Sequence, residues 1–173
     1  MEYNREAAVA YAREWALLRN PAYYDFEDIG GDCTNFASQV LYAGAGVMNF
    51  TQYYGWYYIS PDDRAPAWTS VEYFARFLTT NEGVGPYGSI RPLYEALPGD
   101  FIQLSFDGVR FGHTLVVLET GEFPTPDNIL TASHTYDSLD RAVDTYNYME
   151  LRLIHIEGVR EETSHTNHMQ YSE

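Results

Sequence analysis

The sequence predicts an α+β fold, on three observations. Helical periodicity dominates the first half, strand-forming runs dominate the second, and a glycine pair leads into a helix that opens on the chain's one cysteine. The expected architecture is a set of N-terminal helices, one of them carrying Cys33, packed on an antiparallel sheet of about four to six strands. With 173 residues and 45% hydrophobic content, a single domain over residues 1–160 can bury its own core, followed by a polar tail or linker over 161–173.

Taken in order, residues 4–20 read as an amphipathic helix with Asn4 as N-cap. Ala8, Tyr11, Ala12, Trp15 and Leu18 recur on one face, and Pro21 ends the helix. Gly30-Gly31 turns the chain into Cys33. From there Phe36, Ala37, Val40, Leu41 and Ala43 keep helical spacing until Gly44 and Gly46 stop it, with Asp32 as its expected cap. Residues 49–68 read as a long loop rich in tyrosine and tryptophan. Thr69-Ser70-Val71-Glu72 has the capping-box pattern and predicts a helix to about Thr80. Gly83, Gly85, Pro86 and Gly88 then break the chain.

Leu97-Pro98-Gly99-Asp100 enters a strand over Phe101–Phe106. Asp107-Gly108 predicts a two-residue hairpin turn that pairs Phe106 with Val109 and places His113 opposite Ile102. Further strands are expected over Ile129–His134 and Tyr148–Ile156.

Charge excludes partner classes. Twenty-five acidic residues stand against ten basic ones, all arginine, for a formal charge of −15. Such a surface repels nucleic acid and anionic membranes, and no run approaches a membrane span, so neither nucleic-acid binding nor membrane insertion is expected. One cysteine excludes an intramolecular disulfide, and no Cys/His spacing resembles a zinc site, so neither metal nor cofactor is expected. Met1-Glu2-Tyr3-Asn4-Arg5 opens without an apolar secretory core, so a signal peptide is not expected within the sequence as given.

The chemistry centres on Cys33. A lone cysteine is often only a buried small residue. At a helix N-terminus, however, unpaired backbone N–H groups and the dipole stabilise a thiolate. A nucleophilic cysteine needs an imidazole base and a third group to orient it. His165 and His168 fall in the tail and His155 lies between isoleucines, which leaves His113 and His134 on strands that are candidates for neighbours. Tyr54, Trp56, Tyr57 and Trp68 are candidates for a substrate groove, or else form an aromatic cluster that pins the long loop to the domain.

Gly30-Gly31-Asp32-Cys33-Thr34-Asn35-Phe36-Ala37-Ser38-Gln39, Gly55-Trp56-Tyr57-Tyr58, Gly99-Asp100-Phe101-Ile102-Gln103 and Ser133-His134-Thr135 resemble the putative amidase domain family of Gram-positive bacteria. Asp32-Cys33-Thr34-Asn35-Phe36, Leu97-Pro98-Gly99-Asp100 and Gly112-His113-Thr114 are more broadly similar to the landmarks of NlpC-type papain-like cysteine peptidases. The resemblance implies a papain-like fold and hydrolysis of amide bonds in peptides of the peptidoglycan stem. Cys33 is then the nucleophile, His113 the general base and His134 its orienting partner, with Asp32, Asn35 and Asp137 in support.

On that reading a Cys33–His113 ion pair would give a bell-shaped pH profile. The chain would act as a monomer, as an excised domain of a larger exported protein, in the extracellular space or cell envelope. A transamidating acyltransferase and a non-catalytic peptide- or glycan-binding module are the alternatives.

Overall fold

The computed structural model describes residues 1–162, so the tail histidines His165 and His168 and most of the predicted tail lie outside the described residues. The first helix, α1 (Arg5–Trp15), starts where the sequence places it, with the Asn4 side chain accepting from the Ala7 N–H at 3.0 Å. It ends one turn early, because Leu17 and Leu18 face solvent and nothing there rewards a further helical turn. The cysteine helix, α2 (Cys33–Ala45), is buried along almost its whole length and stops at Gly46, whose φ of 74° is the left-handed angle that glycine adopts freely. Phe36, Val40 and Leu41 are fully buried, each contributing about 1.5–3 kcal/mol of hydrophobic stabilisation.

The aromatic segment expected to be a loop contains a small hairpin, β1 (Tyr58–Ser60) with β2 (Asp63–Arg64), and a short helix, α3 (Pro66–Thr69). Helix α4 (Val71–Thr80) follows, capped by the Ser70 hydroxyl, which accepts from the Tyr73 N–H, rather than by Thr69. Next come β3 (Gly85–Arg91), β4 (Phe101–Ser105), β5 (His113–Glu119), β6 (Leu130–Ser133), β7 (Ser138–Ala142) and β8 (Glu150–Arg160). They form one antiparallel sheet in the order β3-β8-β4-β5-β6-β7. The expected α+β class and antiparallel sheet are therefore present.

Strand β3 stands where the sequence shows only breakers. It is an edge strand, which tolerates Pro86, and it carries a bulge at Tyr87/Gly88, where a Cβ on Gly88 would meet the His155 carbonyl oxygen at 2.3 Å. The β4–β5 register also differs from the expected one, pairing His113 with Leu104 rather than with Ile102. The reason is local: the Asp107 carboxylate accepts from the Val109 and Arg110 N–H groups and folds 106–112 into a longer loop than a two-residue turn.

One face of the sheet packs on α1, α2 and α4 through Phe101, Val116, Leu118, Ala132, Ile154 and Ile156. The opposite face buries Ile102, Leu104, Leu115, Val117 and Leu153 under Ala96 and Val143. The Pro-Gly-Asp entry joins helices to sheet. The fully buried Asp100 carboxylate accepts from Arg5 at 2.8 Å and the Ile156 N–H at 2.9 Å through Oδ1. Its Oδ2 accepts from the Leu97 N–H at 3.0 Å and His155 Nδ1 at 2.8 Å. Four donors around one carboxylate offset the cost of burying its charge. They also tie α1 and β8 to the entry of β4.

Candidate active site

Cys33 is the first residue of α2 and only 8% exposed. Its sulfur lies 3.8 Å from the Thr34 hydroxyl. The hydroxyls of Thr34 and of Thr114, on β5, lie 3.0 Å apart and join the start of α2 to that strand. The thiolate expected from the helix terminus is not the favoured form. Burial pushes the Cys33 thiol up, against the opposing pull of the Thr114 N–H, and the nearby Asp32 charge adds to the rise.

His113 is the first residue of β5, immediately before Thr114. On the pleat Thr114 faces the helices, where Gln103 Nε2 donates to its hydroxyl at 3.2 Å. His113 takes the other side of the ladder with Leu104 and Leu115, at the end of the sheet, beside Tyr146 (ring centroids 5.7 Å apart) and Phe106. Burial, and then the positive charge of Arg141, push its pKa down to about 4. Thiol and imidazole are thus both neutral at pH 7, which replaces the expected ion pair. Among the described residues no hydrogen bond joins Cys33 to His113, and no side chain hydrogen-bonds the His113 ring.

The structure does not give His134 the role of orienting His113. Its ring, 1% exposed and stacked on Phe36 at 4.1 Å between centroids, hydrogen-bonds through Nδ1 with Asp32 Oδ2 at 2.5 Å and donates from Nε2 to the Trp15 carbonyl at 2.8 Å. Both nitrogens are occupied. His134 lies just past β6, in the turn His134–Asp137, where Thr135 and Tyr136 have φ of 61° and 58°. The Thr135 hydroxyl accepts from the Asp32 N–H at 3.0 Å and holds this turn against the cysteine loop.

Asp32 occupies the N-cap position but makes no side-chain cap. Its carboxylate is drawn instead to His134, to the Phe26 N–H at 2.8 Å and to Asn35 Nδ2 at 2.8 Å. Asn35 also donates to the Tyr24 carbonyl and accepts from Trp68 Nε1 at 2.9 Å, so its amide is not free to hold an oxyanion. Asp137 forms a two-pronged pair with Arg19, at 2.8 and 3.0 Å, rather than approaching either histidine. These three residues brace the cysteine loop and do not line a reaction space.

The groove candidates divide. Trp56 and Trp68 are fully buried, stacked at 4.9 Å between centroids, and each indole N–H is bonded inside α2, to Ser38 and Asn35. Tyr57 is nearly buried. Only Tyr54 stands on open surface, where it lines a small cavity with Tyr53, Tyr73 and Arg76. The aromatic segment is thus largely the cluster that pins the loop. Among the described residues no group of three or more His, Cys, Asp or Glu could hold a metal ion, and no helix is long and apolar enough to cross a membrane.

A buried thiol at the mouth of a central helix, whose first turn is bridged through Thr34 and Thr114 to the strand that begins at His113, defines a helix-terminus cysteine site on an α+β frame. The chain belongs to the putative amidase domain family, whose family model matches residues 2–156, and this membership points to an amide hydrolase. It is 33% identical over 140 residues to the uncharacterized protein YhbB of Bacillus subtilis (strain 168). That alignment covers 79% of this chain and 43% of YhbB, so the chain spans less than half the length of that relative. No solved structure matches the chain.

Proposed function

We propose that the protein is a cysteine-dependent amide hydrolase, with Cys33 as nucleophile and His113 as general base, in an arrangement of the papain-like NlpC type. The observation that carries this is the bridge between the Thr34 and Thr114 hydroxyls at 3.0 Å, which holds the mouth of the cysteine helix against the start of the strand that carries His113, an imidazole with no competing side-chain partner among the described residues. His134, with both nitrogens taken, is a positioning residue for the cysteine loop, and the reacting pair is a dyad.

In the resting structure His113 faces the opposite side of the strand from Thr114, so on this reading substrate binding, starting from a neutral pair, must swing the His113 ring toward the sulfur. Its free nitrogen takes the S–H proton as sulfur attacks the amide carbonyl, and the backbone N–H of Cys33 faces the oxyanion. The intermediate collapses, the imidazolium gives its proton to the leaving amine, and a thioester on Cys33 remains. Water then attacks the thioester while His113 accepts a proton from it. The thiol departs with that proton, and the acid is released.

Peptides of the bacterial cell wall are the proposed substrates, which would place the reaction at the cell envelope. The test is Cys33→Ala in the full chain, incubated with purified peptidoglycan stem peptides and read by mass spectrometry of the products. Turnover should fall by at least about 10³-fold. Undiminished cleavage would overturn the assignment.

A further inference from the structure

The end of the sheet that holds His113 opens into a cavity of about 560 Å³, lined by Phe106, His113, Thr135, Tyr136, Arg141 and Tyr146 among others. No carboxylate lines it, in a chain with 25 acidic residues. Its one permanent charge is the guanidinium of Arg141. Five of the ten arginines (5, 13, 19, 91 and 152) are paired with acidic side chains, whereas Arg141 makes no such pair among the described residues.

Arg141 is nevertheless held in place. Nε donates to the Thr145 hydroxyl at 2.8 Å and Nη2 to the Thr145 carbonyl at 3.2 Å, and the guanidinium carbon sits 3.6 Å from the centroid of the Tyr146 ring. Both protein contacts use the Nε–Nη2 edge. The Nη1 protons and the second Nη2 proton remain, which is the edge that takes a carboxylate through two parallel hydrogen bonds. A fixed, unpaired fork costs little to organise when a ligand arrives. In a chain of net charge −15 a cavity whose one charge is positive favours an anion; the cavity at Arg76 is another of this kind, but the one at Arg141 lies against the proposed base.

We infer that Arg141 is a specificity residue that binds a free carboxylate, so that the preferred substrates are amides whose leaving amine belongs to an amino acid with an unblocked carboxylate. The inference rests on the reading of His113 as general base, since that reading makes this cavity the leaving-group side. It also accounts for Arg141 being held by a hydroxyl and a ring rather than by an acid, because an acidic partner would compete with the substrate.

The test is titration of isotopically labelled full chain with N-acetylglycine, which carries an amide and a carboxylate, and with its neutral counterpart N-acetylglycinamide, following the ring signals of His113 assigned with His113→Gln. N-acetylglycine should shift these signals saturably and the neutral compound should bind at least about tenfold more weakly, the equivalent of one charge-assisted contact. Arg141→Ala should remove the preference, and Arg141→Lys, which keeps the charge without the fork, should retain part of it. Equal binding of the two compounds, no binding of either, or a preference unchanged in a folded Arg141 variant would overturn the inference. Cys33→Ala should bind N-acetylglycine as the parent does. Turnover surviving that substitution would sink the nucleophile assignment and leave this binding result standing, so the two failures are distinguishable.

Discussion

Replacing His134 with alanine separates a positioning role from a catalytic one. The substitution removes two hydrogen bonds, to Asp32 at 2.5 Å and to the Trp15 carbonyl at 2.8 Å, and leaves a hole against Phe36. It also strips Asp32, 1% exposed, of the ring nitrogen closest to its carboxylate, with Arg19 Nε 3.7 Å away. Removing one member of a buried pair of this kind costs about 3–5 kcal/mol. For a chain of this length each kcal/mol lowers Tm by about 2–4 °C, so the melting temperature should fall by roughly 6–20 °C. Thermal unfolding followed by circular dichroism measures this. Below the new melting point the variant should keep turnover within about tenfold of the parent, since the proposed chemistry uses neither ring nitrogen. An unchanged Tm with turnover reduced more than a hundredfold would refute the reasoning and restore His134 to the reacting group.

The pH dependence follows from His113. Its pKa is pushed from 6.5 to about 4 by burial, so the folded state binds this proton less readily than the unfolded chain does. Its contribution to stability is therefore complete above about pH 6.5 and lost as the pH falls through 4, an effect of order 3 kcal/mol measurable by urea denaturation across that range. The acid limb of kcat/KM should track the same group and fall near pH 4, and a limb near 6.5 would contradict the neutral resting pair. Trp68→Ala should destabilise by about 3–5 kcal/mol, as expected for a fully buried aromatic, whereas Tyr54→Ala, on open surface, should change stability by no more than about 0.5 kcal/mol. Asp100→Ala should cost about 3–5 kcal/mol by stranding Arg5 and His155, with denaturant midpoints as the readout.

What the sequence made legible was local in origin. The Asn4 cap, the helix opening at Cys33, the left-handed stop at Gly46 and the strand run after Asp100 each depend on a residue and its immediate neighbours, and each is present. What it obscured depends on partners distant in the chain. Strand β3 forms because β8 pairs with it, despite glycine and proline that read as breakers. The turn after β6 carries no glycine or asparagine at its two left-handed positions. Thr135 is held there by Glu27 and Asp32, contacts spanning more than 100 residues, so a strand reading ran through His134.

The candidate site shows the same division. Cysteine at a helix mouth and histidine on the strand returning from the Asp107-Gly108 turn were both readable, although that strand starts at His113 rather than at Val109, and the structure brings the two elements together. Their protonation was not readable, because the helix-terminus effect on a thiol is visible in the sequence while the burial that outweighs it is not. The contacts of Thr114 and Arg141 are hidden in the sequence for a similar reason. The hydroxyl bridge from Thr114 to Thr34 and the unpaired fork of Arg141 have no local sequence signal. Asp32 shows how a correct position can carry a wrong role: it stands at the N-cap, yet a histidine 102 residues on claims its carboxylate.

The central claim is that acyl transfer passes through the Cys33 sulfur. Intact-protein mass spectrometry after rapid acid quench of the full chain with a peptide substrate tests it most directly. The account predicts an adduct of acyl-group mass, mapped by proteolysis to Cys33 and absent from Cys33→Ala, which should also be inactive. Cleavage by Cys33→Ala at the parent's rate, with no adduct on the parent's sulfur, would contradict it.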